Sequence, residues 1–339
     1  MKPLGGLYHL AIHVFEILAV GVLLACIVFL WRRNISKVAR FFKPEMKGWP
    51  TRDGNIILVV EMVLMAALLK LNAVEAALTA GTDQPVGPYV ISQFLVPVFN
   101  GWSVEALHVW ERVFWWAHIL GIFAFLNYLP FSKHFHILMA FPNTWYSKLE
   151  PAGQFNNMAS VTDQVRLMMD PSADPYAAPS TPQETPARFG AKDVFDLHRV
   201  QLMNAYSCTE CGRCTAECPA NQTGKKLSPR KVMMDVRDRL EEVGQVMDAN
   251  GGTFKDDGKS LLDHYITREE LWACTTCNAC VQACPVNIDP LSIIVDMRRY
   301  LVMEESAASP EINGMMGNIE NNGAPWPFAQ ADRLNWRDA

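Results

Sequence analysis

Residues 208–219 read CTECGRCTAECP and residues 274–285 read CTTCNACVQACP. Each run spaces its cysteines as C-x2-C-x2-C-x3-C and then places a proline, the bacterial arrangement for a 4Fe–4S cluster. Three thiolates on one tight loop each reach a corner iron. The fourth, just before the proline, serves the other cluster in two-cluster proteins. The pattern therefore predicts one cluster on Cys208, Cys211, Cys214 and Cys284, and a second on Cys274, Cys277, Cys280 and Cys218.

Other uses of cysteine fit poorly. A zinc ribbon needs two separated C-x2-C pairs, not a third cysteine at the same spacing followed by proline and written twice. A disulfide framework suits a small secreted domain, and this chain has 339 residues. The ninth cysteine, Cys26, stands alone in an apolar run and reads as a small buried hydrophobe.

The length suggests about two domains, and apolar residues concentrate in the first 140 positions. A formal charge of −5 without a basic stripe gives no nucleic-acid signal. Three stretches reach the roughly 20 apolar residues that a membrane helix needs: 7–31, 55–80 and 112–131. Between the first two lie Arg32, Arg33, Lys37, Arg40, Lys43, Lys47 and Arg52, whereas 81–103 contain no Lys or Arg. The positive-inside rule then puts the N-terminus outside a bacterial inner membrane and everything after Phe131 in the cytoplasm. Trp102, Trp110, Trp115 and Trp116 fit an aromatic belt, and Tyr89 to Phe99 is too short to span and reads as an interfacial or re-entrant piece.

Charged groups in hydrocarbon are costly and need a reason. Glu16 lies one turn from His13, and Glu61, Lys70 and Glu75 share the second span. Lys70 and Glu75 can snorkel to the surface; Glu61 is the candidate for proton exchange with a bound quinone. Among His9, His13, His108, His118, His134 and His136, only His13 and His118 match in depth, each about six residues from the outer end. They are the candidate axial ligands of a haem b, while His134 and His136 could equally be interfacial anchors.

Residues 142–190 carry seven prolines, most of them in MMDPSADPYAAPSTPQETP, and read as an extended connector. Beyond it the pattern is helical. Ser228 with Pro229, Thr267 with Glu270, and Asp289 with Pro290 each form a helix start. With 55 residues and a helix between the two cysteine runs, an all-helical cluster domain is expected. The fold class is thus all-α: a three-helix transmembrane anchor over 1–141, a Pro-rich linker over 142–192, a helical two-cluster domain over 193–306, and an extended tail over 307–339.

CTECGRCTAECPANQTGKKLSPR (208–230) with the second cysteine run resembles the helical ferredoxin domain found in the C-type polypeptide of heterodisulfide reductase and in the iron–sulfur polypeptide of succinate dehydrogenase. WWAHILGIFAFLNYLPFSKHFHILMAFPNTW (115–145) is similar to the last membrane helix of membrane-bound iron–sulfur oxidoreductases related to heterodisulfide reductase, whose anchor is similar to the nitrate reductase gamma polypeptide. Many such relatives continue into a cysteine-rich CCG domain. The resemblance implies a separate CCG-type or flavoprotein redox partner docking on the tail, where Trp326, Phe328 and Trp336 would be apolar anchors.

Together these readings imply an electron-transfer component that links menaquinone or ubiquinone in the bilayer to a cytoplasmic redox partner through two 4Fe–4S clusters. No residue of this chain is assigned a catalytic role, because no nucleophile–base pair or phosphate loop is present; bond chemistry would belong to the partner. Two rivals are a membrane scaffold with structural clusters, and the anchor of a succinate or fumarate enzyme. The latter would bring a C-x4-C-x2-C motif upstream, and the sequence has none.

Overall fold

A computed structural model describes residues 5–82, 86–87, 89–151, 153–170, 172 and 188–338. All named elements among them are helices, and the backbone divides into two compact units. The first comprises Met1–Trp145 with Tyr206–Arg213, and the second Tyr146–Ala205 with Cys214–Ala339.

In the first unit, α1 (Gly5–Asn34), α2 (Trp49–Thr79) and α3 (Val104–Tyr128) are the long helices, followed by α4 (His136–Trp145). The segments Leu10–Asn34, Trp49–Thr79 and Val104–Phe131 are long and apolar enough to cross a membrane. The second and third begin six and eight residues earlier than hydropathy alone predicts, because Pro50 stands in the first turn of α2 and Ser103 caps α3 by accepting from the Ala106 amide. Phe15, Leu24, Val63, Val109 and Leu120 are exposed, as lipid-facing side chains should be. α2 packs against both α1 and α3. Gly121 permits the α2–α3 approach, since a Cβ there would lie 2.6 Å from Leu64 Cδ2.

The 89–99 segment does not span. It forms two short 3-10 turns, Ser92–Phe94 and Val96–Phe99, that fold onto α2. Phe99 joins Ala73, Val74 and Leu107 in a buried cluster, and this contact gives the segment its place. Two of the intramembrane carboxylates serve it. Glu16 accepts from the Ile91 and Ser92 amides (3.0 and 3.3 Å), the Ser92 hydroxyl and the Asn72 amide (3.2 Å), and Glu75 accepts from Tyr89 at 3.1 Å. Lys70 sits over the Phe114 ring. These charges have local structural partners.

The second unit contains α5 (Ala159–Met169), α6 (Arg199–Ser207, whose end enters the first unit), α7 (Arg213–Glu217), α8 (Pro219–Gln222), α9 (Pro229–Ala249), α10 (Leu261–His264), α11 (Arg268–Ala273), α12 (Ala279–Gln282), α13 (Pro290–Met303), α14 (Pro310–Asn322) and α15 (Asn335–Asp338). The three predicted starts are present: Ser228 accepts from Lys231, Thr267 and Glu270 form a reciprocal capping box, and Asp289 accepts from Ser292. Val232, Met233 and Val236 of α9 meet a core that includes Leu271 of α11 and Ile293, Ile294, Met297 and Leu301 of α13, at the i, i+3, i+4 spacing of an apolar helix face. Gly190 (φ +73°) lets its segment lie on α13, where Ala191 donates to the Asp296 carbonyl; a Cβ would meet that oxygen at 2.1 Å.

Arg239 is fully buried on α9 and ties down the polar 248–260 insertion. Its guanidinium donates to Asp193 (2.8 Å), Asp257 (2.5 Å) and the Lys259 carbonyl (2.8 Å). Two sequence expectations change here. The connector holds an 11-residue helix, α5, although most of its proline-rich part, 171 and 173–187, lies outside the described residues. The tail is not extended: Ser309 caps α14 and Gly323 (φ 67°) ends it, with Trp326, Phe328 and Trp336 exposed.

Candidate iron–sulfur site

Both cysteine loops have the same backbone. The second residue after the leading cysteine has positive φ in each, Glu210 at 56° and Thr276 at 55°, and so does the fourth, Gly212 at 74° and Asn278 at 61°. In each loop the amide of that second residue turns inward and donates to the leading sulfur: Glu210 to Cys208 Sγ and Thr276 to Cys274 Sγ, both at 3.4 Å. Ile288 donates likewise to Cys284 Sγ at 3.4 Å. Left-handed conformations cost non-glycine residues of order 1 kcal/mol or more. Their recurrence at matching positions marks a constrained loop whose amides face sulfur, which stabilises thiolate.

In the second unit, Cys218, Cys274, Cys277 and Cys280 interact. Burial pushes the Cys280 thiol up to about 12, with Cys274, Asp289 and Cys218 adding to the shift. Burial also raises the Cys274 thiol, Cys218 and Cys277 add to that, and the Thr276 amide and Arg298 guanidinium oppose it. A cation bound here would have to displace the Cys274 and Cys280 protons, so that its binding is coupled to pH. Among the described residues, no three His, Cys, Asp or Glu side chains close on one point as a single metal ion requires. None of the nine cysteines is in a disulfide. Cys277 is exposed and borders an open groove of about 2970 Å³ within the second unit.

The stretch 206–213, with Cys208 and Cys211, packs in the first unit. Tyr206 meets Phe135 edge-on, and Ser207 donates to the Met139 carbonyl at 3.1 Å. Lys133 donates to the buried Glu210 carboxylate and, at 2.5 Å, to the Pro50 carbonyl. Burial pushes the Lys133 ammonium below its usual value, against the pull of Glu210 and Asp53. Asp53, buried at the start of α2, accepts from the Lys133 amide at 3.0 Å and from the Tyr128 hydroxyl at 2.5 Å. Sequence reading missed Asp53, Lys133 and Glu210. A lysine and two acids in three separate segments share no local pattern.

Of the intramembrane candidates, Glu61 on α2 accepts from Cys26 Sγ at 3.2 Å and lies 3.3 Å from His134 Nε2. His13 lies on α1 and His118 on α3, with His118 Nδ1 3.0 Å from the Leu64 carbonyl of α2.

Residues 207–288 match the family model for a 4Fe–4S dicluster domain. The chain is 29% identical over 99% of its length to "Probable iron-sulfur-binding oxidoreductase FadF" of Bacillus subtilis, covering 47% of that protein. It is 29% identical over 89% of its length to the "EtfAB:quinone oxidoreductase" of Syntrophomonas wolfei, covering 42% of it. Over 44% of its length it is 34% identical to the "Probable membrane-anchored ferredoxin" of Chromohalobacter salexigens, covering 24% of that chain. Its homologues are iron–sulfur oxidoreductases. Heterodisulfide reductase polypeptides of Methanosarcina match as well, in agreement with the resemblance read from the cysteine runs. The chain spans less than half the length of the first three relatives. No solved structure matches it.

The chain is therefore similar to iron–sulfur redox proteins, the named elements among its described residues are helical, three of its helices are long and apolar enough to cross a membrane, and its C-terminal part holds a 4Fe–4S dicluster domain.

Proposed function

We propose that the chain carries electrons between a quinone pool in the membrane and a cytoplasmic redox partner, a CCG-domain protein or flavoprotein. The observation that carries this reading is the placement of the Cys208–Cys211 loop. A ferredoxin serving only soluble partners has no use for half of a cluster loop fastened to the turn and short helix that follow the last membrane span. Here the buried Lys133–Glu210 pair and the Ser207–Met139 bond do so. The cluster on Cys208, Cys211, Cys214 and Cys284 is then the membrane-side carrier. The one on Cys274, Cys277, Cys280 and Cys218 is the partner-side carrier, reached at exposed Cys277.

Each cluster, when bound, takes up and releases one electron at a time. The chain's own residues supply the rest. Amides of Glu210, Thr276 and Ile288 stabilise the thiolates, and Arg298, which donates to the Cys274 carbonyl at 2.5 Å, brings positive charge to the second loop. The relative named for EtfAB and quinone supports the quinone end. The basic residues of 32–52 support a cytoplasmic location for the cluster domain in a bacterial inner membrane. The His13–His118 haem b forms no part of this reading.

The test is anaerobic purification of the full chain, with iron counted and EPR recorded after addition of a menaquinol analogue. About eight irons per chain and two reducible signals are expected. Iron-free or zinc-loaded protein, or clusters that dithionite reduces and the quinol does not, would overturn it; the last outcome would favour a scaffold.

A further inference from the structure

α2 brings Glu61 into the apolar part of the first unit, and the turn after α3 folds back so that His134 meets it, Nε2 to Oε1 at 3.3 Å. The histidine side chain is 12% exposed and the carboxylate 26%. Cys26 of α1 holds the second carboxylate oxygen at 3.2 Å. The turn itself is braced independently of this contact. Asp53 grips the Lys133 amide and the Tyr128 hydroxyl, and His136 Nδ1 lies 2.8 Å from the Lys133 carbonyl. Phe125 and His136 place rings 5.1 and 5.7 Å from the His134 ring.

Glu16 and Glu75 hold the 89–92 segment, whereas among the described residues Glu61 is held by the side chains of two other elements. Its partners are two side chains able to exchange protons, on the end of the helices that carries the Cys208 loop. A half-buried acid–imidazole pair beside an aromatic wall is suited to a planar head group with ionisable hydroxyls.

We propose that Glu61 and His134 are the proton-accepting site for a quinol head group, an inference that rests on the quinone reading above. Quinol oxidation breaks two O–H bonds and releases two protons and two electrons. The electrons go singly to the oxidised 4Fe–4S clusters as acceptors. Each proton goes to His134, whose cationic form the Glu61 carboxylate stabilises, and then to water at the cluster-bearing end. Burial lowers the His134 imidazole below its usual value, so it is neutral and able to accept near pH 7. The ionisable groups acting on the pair are Asp53 on α2, Cys26 on α1 and His136 at the start of α4, with Tyr128 and Lys133 bonded in turn to Asp53.

The experiment uses the full, cluster-loaded chain in lipid nanodiscs. Cluster reduction by a menaquinol analogue is followed by stopped flow, and binding of a hydroxyquinoline N-oxide quinone analogue by fluorescence quenching. Glu61→Gln and His134→Gln should each slow quinol-driven reduction about a hundredfold and weaken analogue binding about tenfold. Iron content and dithionite-reduced EPR should be unchanged. His134→Gln should also remove the rise of rate with pH. Glu75→Gln, at the other end of α2, should behave as wild type. Wild-type rates and binding in both variants would overturn the site and leave the quinone reading standing. A wild-type chain that dithionite reduces and quinol does not would overturn both. Should His134→Gln lose iron, Glu61→Gln decides, because it leaves the braces of the turn intact.

Discussion

Lys133 and Glu210 form an ion pair whose side chains are 7% and 1% exposed, 77 residues apart in sequence. Two buried charges cost more to desolvate than most ion pairs return. Removing one partner leaves the other uncompensated. Lys133→Met is therefore expected to destabilise the protein by about 3–5 kcal/mol, read as earlier thermal bleaching of the cluster absorbance. Lys133→Met combined with Glu210→Met should recover much of that loss. Equal bleaching temperatures for wild type and the single variant would show that the pair does not hold the loop.

The sulfur geometry predicts which cysteines fail together. Cys218 interacts with Cys274 and Cys280 although it belongs to the other sequence run. Cys218→Ser should abolish the same EPR signal as Cys274→Ser, with the loss of about four irons, and leave the signal that Cys208→Ser removes. Loss of the Cys208 signal instead would mean that each run binds its own cluster.

Arg239 predicts both a stability and a pH effect. Arg239→Leu strands the carboxylates of Asp193 and Asp257 and should cost about 3–5 kcal/mol in denaturant unfolding. The guanidinium hydrogen bond also holds the Asp257 carboxyl down at about 2. A depressed acid stabilises the fold above its ordinary value of about 3.9 and loses that contribution as pH falls towards 2. Acid unfolding curves of wild type and Asp257→Asn should therefore differ above that window and converge below it. Curves that stay equally separated throughout would contradict the assignment.

His118 is predicted to be a helix tie. Its Nδ1 lies against the Leu64 carbonyl and links α3 to α2. His118→Ala should cost about 0.6–1.7 kcal/mol and leave the visible spectrum unchanged. A Soret band that vanishes in this variant would instead place haem b between His13 and His118.

Local signals were legible in the sequence. Ser228, Thr267 with Glu270, and Asp289 start their helices as read, because a cap involves residues three apart. The spans were legible from apolar length, but their true starts were not, since Trp49 and Val104 lie in stretches whose polar residues dilute the hydropathy. The cysteine loops were legible from spacing alone. What escaped was contact at long range. His134 follows the third span and reads as an interfacial residue, yet the turn after Phe131 returns it to Glu61, 73 positions earlier. Asp53, next to the basic loop and unremarked in the sequence, is a buried brace. In both cases a charged or ring residue beside an apolar run was the available clue.

The assignment of 206–213 to the helical anchor, apart from the rest of the cluster domain, bears on how the metal sites can be studied. A water-soluble fragment cut after Trp145 would retain all eight ligands, yet Lys133 and Met139, the mould against which Ser207 and Glu210 set, would be gone. Such a fragment should load iron at Cys274, Cys277, Cys280 and Cys218 and stay half-empty at Cys208. The anchor would then act as part of the casting form for a cofactor, beyond fixing the protein in place.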